Sequence, residues 1–132
     1  LSTLAAGCRL WMAFQIRDDV LSVWGDEKQT GKPFANDIKR KKNSFPIVFA
    51  IEKERGQKQS QLQALYQRQS MDEDTVAAVL ARLEEMGAEE QAQTTAREFL
   101  KAALAELEGL RLAPDARRDL EETATFLVER DY

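Results

Sequence analysis

The first 24 residues, LSTLAAGCRLWMAFQIRDDVLSVW, contain no proline and a single glycine, Gly7, and their apolar side chains occupy most of the circumference of a helix. Such a helix is stable in water only when other helices surround it, so the segment from about Leu1 to Trp24 is read as a central element. The rest of the chain agrees. Only 6 Gly and 3 Pro interrupt 132 residues, and the stretches between them are rich in Ala, Leu, Glu, Gln, Lys and Arg, which lose least on entering a helix. The fold class expected is therefore all-α. A chain of 132 residues is one domain or a piece of one, and residues 1–132 are read as a single unit. No apolar run approaches the roughly 18 residues that a spanning helix needs, so no stable membrane insertion is expected.

A turn-rich stretch from Gly25 to Asn43, broken by Gly31 and Pro33, is read as the one long loop. Ser44 caps the next helix, with Pro46 in its first turn, Ile47, Val48, Ala50 and Ile51 on its buried face, and Gly56 as its end. A short helix fits Gln59 to Arg68. Ser70 followed by Glu73 has the form of a capping box opening a helix through Val76, Val79, Leu80 and Leu83 that stops at Gly87. Another runs from about Ala88 to Glu108, with Phe99, Leu100, Ala103, Leu104 and Leu107 inward. The last starts at Pro114 and turns Leu120, Ala124, Leu127 and Val128 to the core. There is no internal repeat, linker or low-complexity tract.

The chain has no histidine, which excludes a zinc-protease helix, a Ser-His-Asp triad and any imidazole base. Catalysis must then rest on carboxylates, basic side chains or metal ions. The single Cys8 lies among apolar neighbours in the sequence and cannot make an internal disulfide, which suits a reducing cytoplasm. No secretory signal is visible, and the first residue, Leu1, points to trimming or a fragment. The net charge of -4 is unevenly distributed: residues 1–71 carry 12 Lys/Arg against 7 Asp/Glu, residues 72–132 carry 7 against 16. The acidic half reads as solvated helix surface, so function is sought in the first half.

At about 100° per residue, Trp11, Gln15, Asp18, Asp19 and Ser22 share one face of the first helix. Two adjacent carboxylates thus project from an otherwise apolar element, and they stay ionised there only if cations or donors face them. One reading pairs them with Arg17 or a neighbouring helix, or turns them to solvent at the helix edge. The other is a hard divalent cation: with no His available, oxygen ligands suit Mg²⁺, which takes one or two carboxylates and leaves its other positions to water and phosphate. Lys28, Lys32, Lys39, Arg40, Lys41 and Lys42 follow directly. Alone, the run Lys39 to Lys42 reads as a solvated basic face or a nucleic-acid patch. A nucleic-acid groove has no use for acids lining it, however, whereas a metal-bridged diphosphate uses both signs, so no nucleic-acid partner is expected.

The ordered set Phe14-Gln15-x-x-Asp18-Asp19, Gly25-Asp26, Thr30-Gly31-Lys32-Pro33, Asn36-Asp37-Ile38 and a basic run into Ser44-Phe45-Pro46 resembles the second aspartate-rich region of trans-isoprenyl diphosphate synthases, the polyprenyl synthetases. The Ala/Glu/Leu-rich tail ending Phe126-Leu127-x-x-Arg130-Asp131-Tyr132 extends the resemblance along the whole chain, as the C-terminal portion of such enzymes. The resemblance implies the C-terminal part of the isoprenoid synthase helical bundle and a Mg²⁺-dependent condensation of an allylic diphosphate with isopentenyl diphosphate. By motif position, Asp18 coordinates Mg²⁺ and Asp19 supports that metal site. Gln15 points toward the allylic group, and Lys32 and Lys42 bind the allylic diphosphate oxygens, with Lys41 as the alternative to Lys42. Asp37 holds the loop or a metal-bound water. Phe14 and Trp11 line the tunnel or pack in the core.

Two features depart from the family pattern. Ser22 stands at the third acidic position of the usual DDxxD. The first aspartate-rich motif and the basic residues that bind isopentenyl diphosphate lie outside these 132 residues, so this chain alone is expected to be inactive. It requires the missing N-terminal half or a companion chain, and a homodimer is expected because the first helix leaves an apolar face to cover. The competing readings are a non-catalytic, synthase-like regulatory subunit and a plain helical interaction module with a basic loop.

Overall fold

A computed structural model describes residues 2–55 and 60–132. Every described element is helical: α1 (Ser2–Trp24), α2 (Glu27–Thr30), α3 (Asn36–Lys39), α4 (Phe45–Glu54), α5 (Gln61–Tyr66), α6 (Glu73–Glu85), α7 (Ala88–Glu108) and α8 (Pro114–Glu129). They form two compact units. One takes the chain up to Asp18 together with Gln93–Arg130, the other Asp19–Ala92 with Asp131–Tyr132. None of the described helices is long and apolar enough to cross a membrane.

In the unit containing Asp19–Ala92, Val23, Ala35, Ile38, Ile47, Ala50, Leu62, Val76, Val79, Leu83 and Ala88 make one buried cluster. α4 packs on α5 and α6, α5 on α6, and α3 on α6. Glu54 is buried within this layer, and three contacts hold it: Ser60 Oγ donates to its Oε2 at 2.6 Å, the Leu62 N–H at 3.1 Å, and Arg82 Nε to Oε1 in an ion pair of 2.5 Å, Arg82 also pairing with Glu85. Burial pushes the Glu54 carboxyl up, but the hydrogen bonds from Ser60, Arg82 and Leu62 outweigh it and hold the group below the usual carboxylate range.

In the other unit, Ala6, Ala13 and Ile16 of α1, Ala96, Leu100, Ala103 and Leu107 of α7, and Ala124 and Val128 of α8 are buried. Arg17 gathers the ends of these helices. Its guanidinium donates twice to the Arg130 carbonyl, at 2.8 and 2.6 Å, and once to Gln93 Oε1, at 2.8 Å, while Gln93 donates to the Val128 carbonyl. Arg97 and Glu129 add a bidentate pair, and Arg9 and Glu106 an ion pair.

Several expectations need correction. The stretch 25–43 is not an unbroken loop, because two single-turn helices, α2 and α3, form inside it. α6 is capped by Asp72, whose carboxylate accepts the Thr75 N–H at 2.8 Å, and not by Ser70, since an acid directly before the helix takes the donor that Ser70 is too far upstream to reach. Val48 and Leu120 are exposed rather than inward, and Cys8, for all its apolar neighbours in the sequence, is exposed as well. The short helix begins at Gln61 behind the cap Ser60, and the expected positions of Gln59 and Gly56 lie outside the described residues.

Candidate diphosphate and metal site

Asp19 is 6% exposed, and both of its carboxylate oxygens are engaged. Lys42 Nζ donates to Oδ1 at 3.2 Å, and the backbone N–H of Phe45 donates to Oδ2 at 2.8 Å. Phe45 opens α4, and the hydroxyl of its N-cap Ser44 makes no capping bond. A carboxylate from α1 therefore takes an orphan amide at the N-terminus of α4, where the helix dipole favours negative charge. The Lys42 ammonium also lies 3.7 Å from Asp37 Oδ2, and Asp37 is buried.

The backbone explains why Lys42 and not its neighbour reaches these acids. After α3 the Lys41 N–H bonds to the Ile38 carbonyl and the Lys42 N–H returns to the Asp37 carbonyl at 2.9 Å, closing a turn in which Lys41 takes a left-handed conformation, φ 55°. That reversal sends consecutive lysines different ways. Lys42 meets Asp19 and Asp37, while Lys41 donates to the Arg68 carbonyl. Tyr66 donates its hydroxyl to the Lys42 carbonyl at 3.3 Å; burial, and then the charge of Asp37, push its ionisation well above the usual range, so it remains a donor.

Lys32 reaches α1 one turn further on, donating to Ser22 Oγ at 3.0 Å, and Ser22 is buried. Two tight features bring it there. Gly25 passes so close to the preceding turn that a Cβ would stand 2.4 Å from the Leu21 carbonyl oxygen and 2.7 Å from Thr30 Cγ2. Gly31 ends α2 at φ 72°, a conformation glycine adopts without steric cost. The Ala35 N–H then ties the segment back to the Val23 carbonyl at 3.2 Å.

Of the residues expected at the site, Asp19, Lys42 and Asp37 stand together, and Lys32 joins Ser22, three residues beyond Asp19 on α1. Asp18 directly precedes Asp19 in α1 and is partly buried, as are Gln15 and Phe14, whereas Trp11 is exposed rather than in the core. Lys28, Lys39 and Arg40 are exposed. A hollow of about 520 Å³ beside α4 and α5 is lined by Lys41, Asn43, Val48, Ile51 and Tyr66 and includes none of Asp19, Lys32 or Lys42. Three partners were not anticipated from sequence: Ser22 as acceptor for Lys32, the Phe45 amide and the Tyr66 hydroxyl. Only the register of Ser22, on the acidic face, signalled its place.

Among the described residues there is no group of three or more His, Cys, Asp or Glu side chains that would hold a metal ion by themselves. A pair of carboxylates flanked by lysines suits a different arrangement. Mg²⁺ keeps several waters and is held through one or two carboxylates plus phosphate oxygens, so the residues present fit an ion that arrives with a diphosphate.

Solved structures define the fold class as that of the isoprenoid synthases. A geranylgeranyl pyrophosphate synthase of Corynebacterium glutamicum, solved with isoprenyl diphosphate and magnesium, superposes with a TM-score of 0.83 at 27% identity, over 96% of this chain and 36% of its own. A geranylgeranyl pyrophosphate synthetase of Pyrococcus horikoshii gives 0.81 at 31% identity, over 96% and 38%. Residues 3–83 match the polyprenyl synthetase family, and the chain belongs to that family. The geranylgeranyl diphosphate synthase of Mycobacterium tuberculosis is 37% identical over 119 residues, 86% of this chain and 34% of the relative. The chain spans about a third of the length of the relatives it matches.

Proposed function

We propose that this chain is the C-terminal portion of a cytoplasmic, head-to-tail prenyltransferase, carrying the second aspartate-rich motif and the diphosphate-binding lysines of its active site. The observation that carries the reading is that lysines from two separate segments, Lys32 and Lys42, are brought to Ser22 and Asp19, one turn apart on a single face of α1. Two ammonium groups held at that spacing suit the oxygens of an allylic diphosphate. Asp18 and Asp19 mark the metal position, with Asp18 as ligand. Mg²⁺, when bound, neutralises charge that builds on the departing diphosphate.

In the reaction, the allylic C–O bond breaks and its electron pair leaves with pyrophosphate. The double bond of isopentenyl diphosphate then supplies the pair that forms the new C–C bond, and a proton is lost. Lys32 and Lys42 bind the leaving group and stabilise its charge as it develops. Gln15 faces the allylic group, and Phe14 helps to keep water from the cation. Isopentenyl diphosphate itself requires residues beyond this chain, supplied by the remainder of a synthase or by a companion chain, and the assembly is a homodimer.

Calorimetric titration with a non-hydrolysable allylic diphosphate analogue tests this reading. Binding that requires Mg²⁺ and is lost in Asp18→Ala and Lys32→Ala is expected. Equal binding by both variants and the parent contradicts it, and tight association with an intact synthase without diphosphate affinity would favour a regulatory subunit.

A further inference from the structure

We infer that Asp19 is a positioning residue and not a metal ligand: it fixes Lys42 for the diphosphate and fastens the basic segment to the start of α4. The inference rests on the proposed diphosphate reading and divides the labour of the twin acids within it. A carboxylate that serves Mg²⁺ must offer it an oxygen. Asp19 Oδ2 accepts the Phe45 N–H at 2.8 Å and Oδ1 accepts Lys42 Nζ at 3.2 Å, in a side chain only 8% exposed. A metal on Oδ1 would stand beside the Lys42 ammonium and repel it, and one on Oδ2 would compete with the buried Phe45 amide for the same oxygen.

The groups around Lys42 make its place depend on this contact. Its ammonium lies between Asp19 and Asp37, at 3.2 and 3.7 Å, and its own side chain is still 45% exposed. The two buried carboxylates thus hold an ammonium whose side chain still reaches the surface. Its carbonyl is tied to Tyr66, and its amide to Asp37. Asp19 joins this segment to the N-terminus of α4 through one carboxylate, so loss of its charge loosens Lys42 while loss of the whole carboxylate also frees the Phe45 amide.

The full chain, titrated calorimetrically with inorganic pyrophosphate across a series of Mg²⁺ concentrations, separates the two roles. Asp19→Asn keeps an oxygen for the Phe45 amide and removes the charge facing Lys42. At saturating Mg²⁺ it should weaken pyrophosphate binding about tenfold, with the Mg²⁺ midpoint where it is in the parent. Asp18→Asn should shift that midpoint upward. Lys42→Gln should weaken binding to a similar degree, and the double variant Asp19→Asn/Lys42→Gln should bind like Lys42→Gln alone, because Asp19 acts through Lys42. A Mg²⁺ midpoint displaced in Asp19→Asn as far as in Asp18→Asn, or multiplicative losses in the double variant, would overturn the inference.

Amide hydrogen exchange reads the clasp with no ligand present. The Phe45 amide should exchange about tenfold faster in Asp19→Ala than in Asp19→Asn, and equal rates would also refute the role. Absence of Mg²⁺-dependent pyrophosphate binding in the parent chain, with the Phe45 amide behaving as expected, would instead remove the proposed function and leave the clasp standing as a structural one.

Discussion

Ser22 occupies the position where the usual family motif has a third carboxylate, and its buried hydroxyl receives the Lys32 ammonium at 3.0 Å. A neutral acceptor orients the lysine without adding a negative charge to the face that meets a diphosphate. Ser22→Ala should therefore weaken pyrophosphate binding about threefold, the scale of one modest hydrogen bond, with the Mg²⁺ midpoint unchanged; unaltered affinity would show that the contact does not position Lys32. Gly25 is a purely steric case. Since a Cβ there meets backbone at 2.4 Å, Gly25→Ala should cost about 1–3 kcal/mol, visible as a lower urea midpoint, and an unchanged midpoint would mean that the turn relaxes freely. At this scale the ordered motif singled out Asp19, Lys32 and Lys42, and the fold brings both lysines to α1. The motif left Lys41 and Lys42 as alternatives, because which lysine faces α1 depends on a left-handed residue at Lys41, and lysine carries no preference that signals one.

Helices α1 and α7 were legible almost to the residue because long stretches of good helix formers run between unambiguous ends. The short elements were not. α2 and α3 are single turns held by their own backbone bonds and by tertiary ties such as Ala35 N–H to the Val23 carbonyl, which hydrophobic periodicity cannot register. The cap of α6 moved from Ser70 to Asp72 because capping depends on distance to the first free amide, which the spacing of Ser70 and Glu73 alone does not measure. Asp72→Ala should lower the thermal midpoint and Ser70→Ala should leave it alone; the reverse order would restore the capping box.

Glu54 ties α4, α5 and α6 together, and its effect on stability has a definite sign. Its carboxyl is held below its ordinary value in the folded chain, so its contribution is fully present above the unfolded value of about 4.3 and disappears as pH falls through the lowered one. Urea midpoints measured downward from pH 6 should fall more steeply in the parent than in Glu54→Gln, which should itself be less stable by about 2 kcal/mol at pH 7. Parallel pH profiles would show that Glu54 is not preferentially ionised in the folded state.

For the molecule as a whole, α1 leaves an apolar stripe open: Leu4, Trp11 and Met12 are 69%, 64% and 41% exposed, with Cys8 between them at helical spacing. Ala13, Ile16 and Val20 are buried, and the apolar face that the sequence leads one to expect uncovered on α1 lies along this stripe. Association through the stripe should appear in sedimentation as a species heavier than 15.0 kDa, and Trp11→Lys should diminish it; a monomer at every concentration would contradict the partner requirement.

The central claim is that an acid of α1 and the lysines of the following segments grip a magnesium-bound diphosphate. The most direct measurement is a crystal structure of the chain soaked with Mn²⁺, in place of Mg²⁺, and an allylic diphosphate analogue. The account predicts an anomalous peak at the Asp18 carboxylate, with diphosphate oxygens in hydrogen-bond range of Lys32 and Lys42. A metal and diphosphate bound elsewhere, or a diphosphate that avoids both lysines, would contradict it.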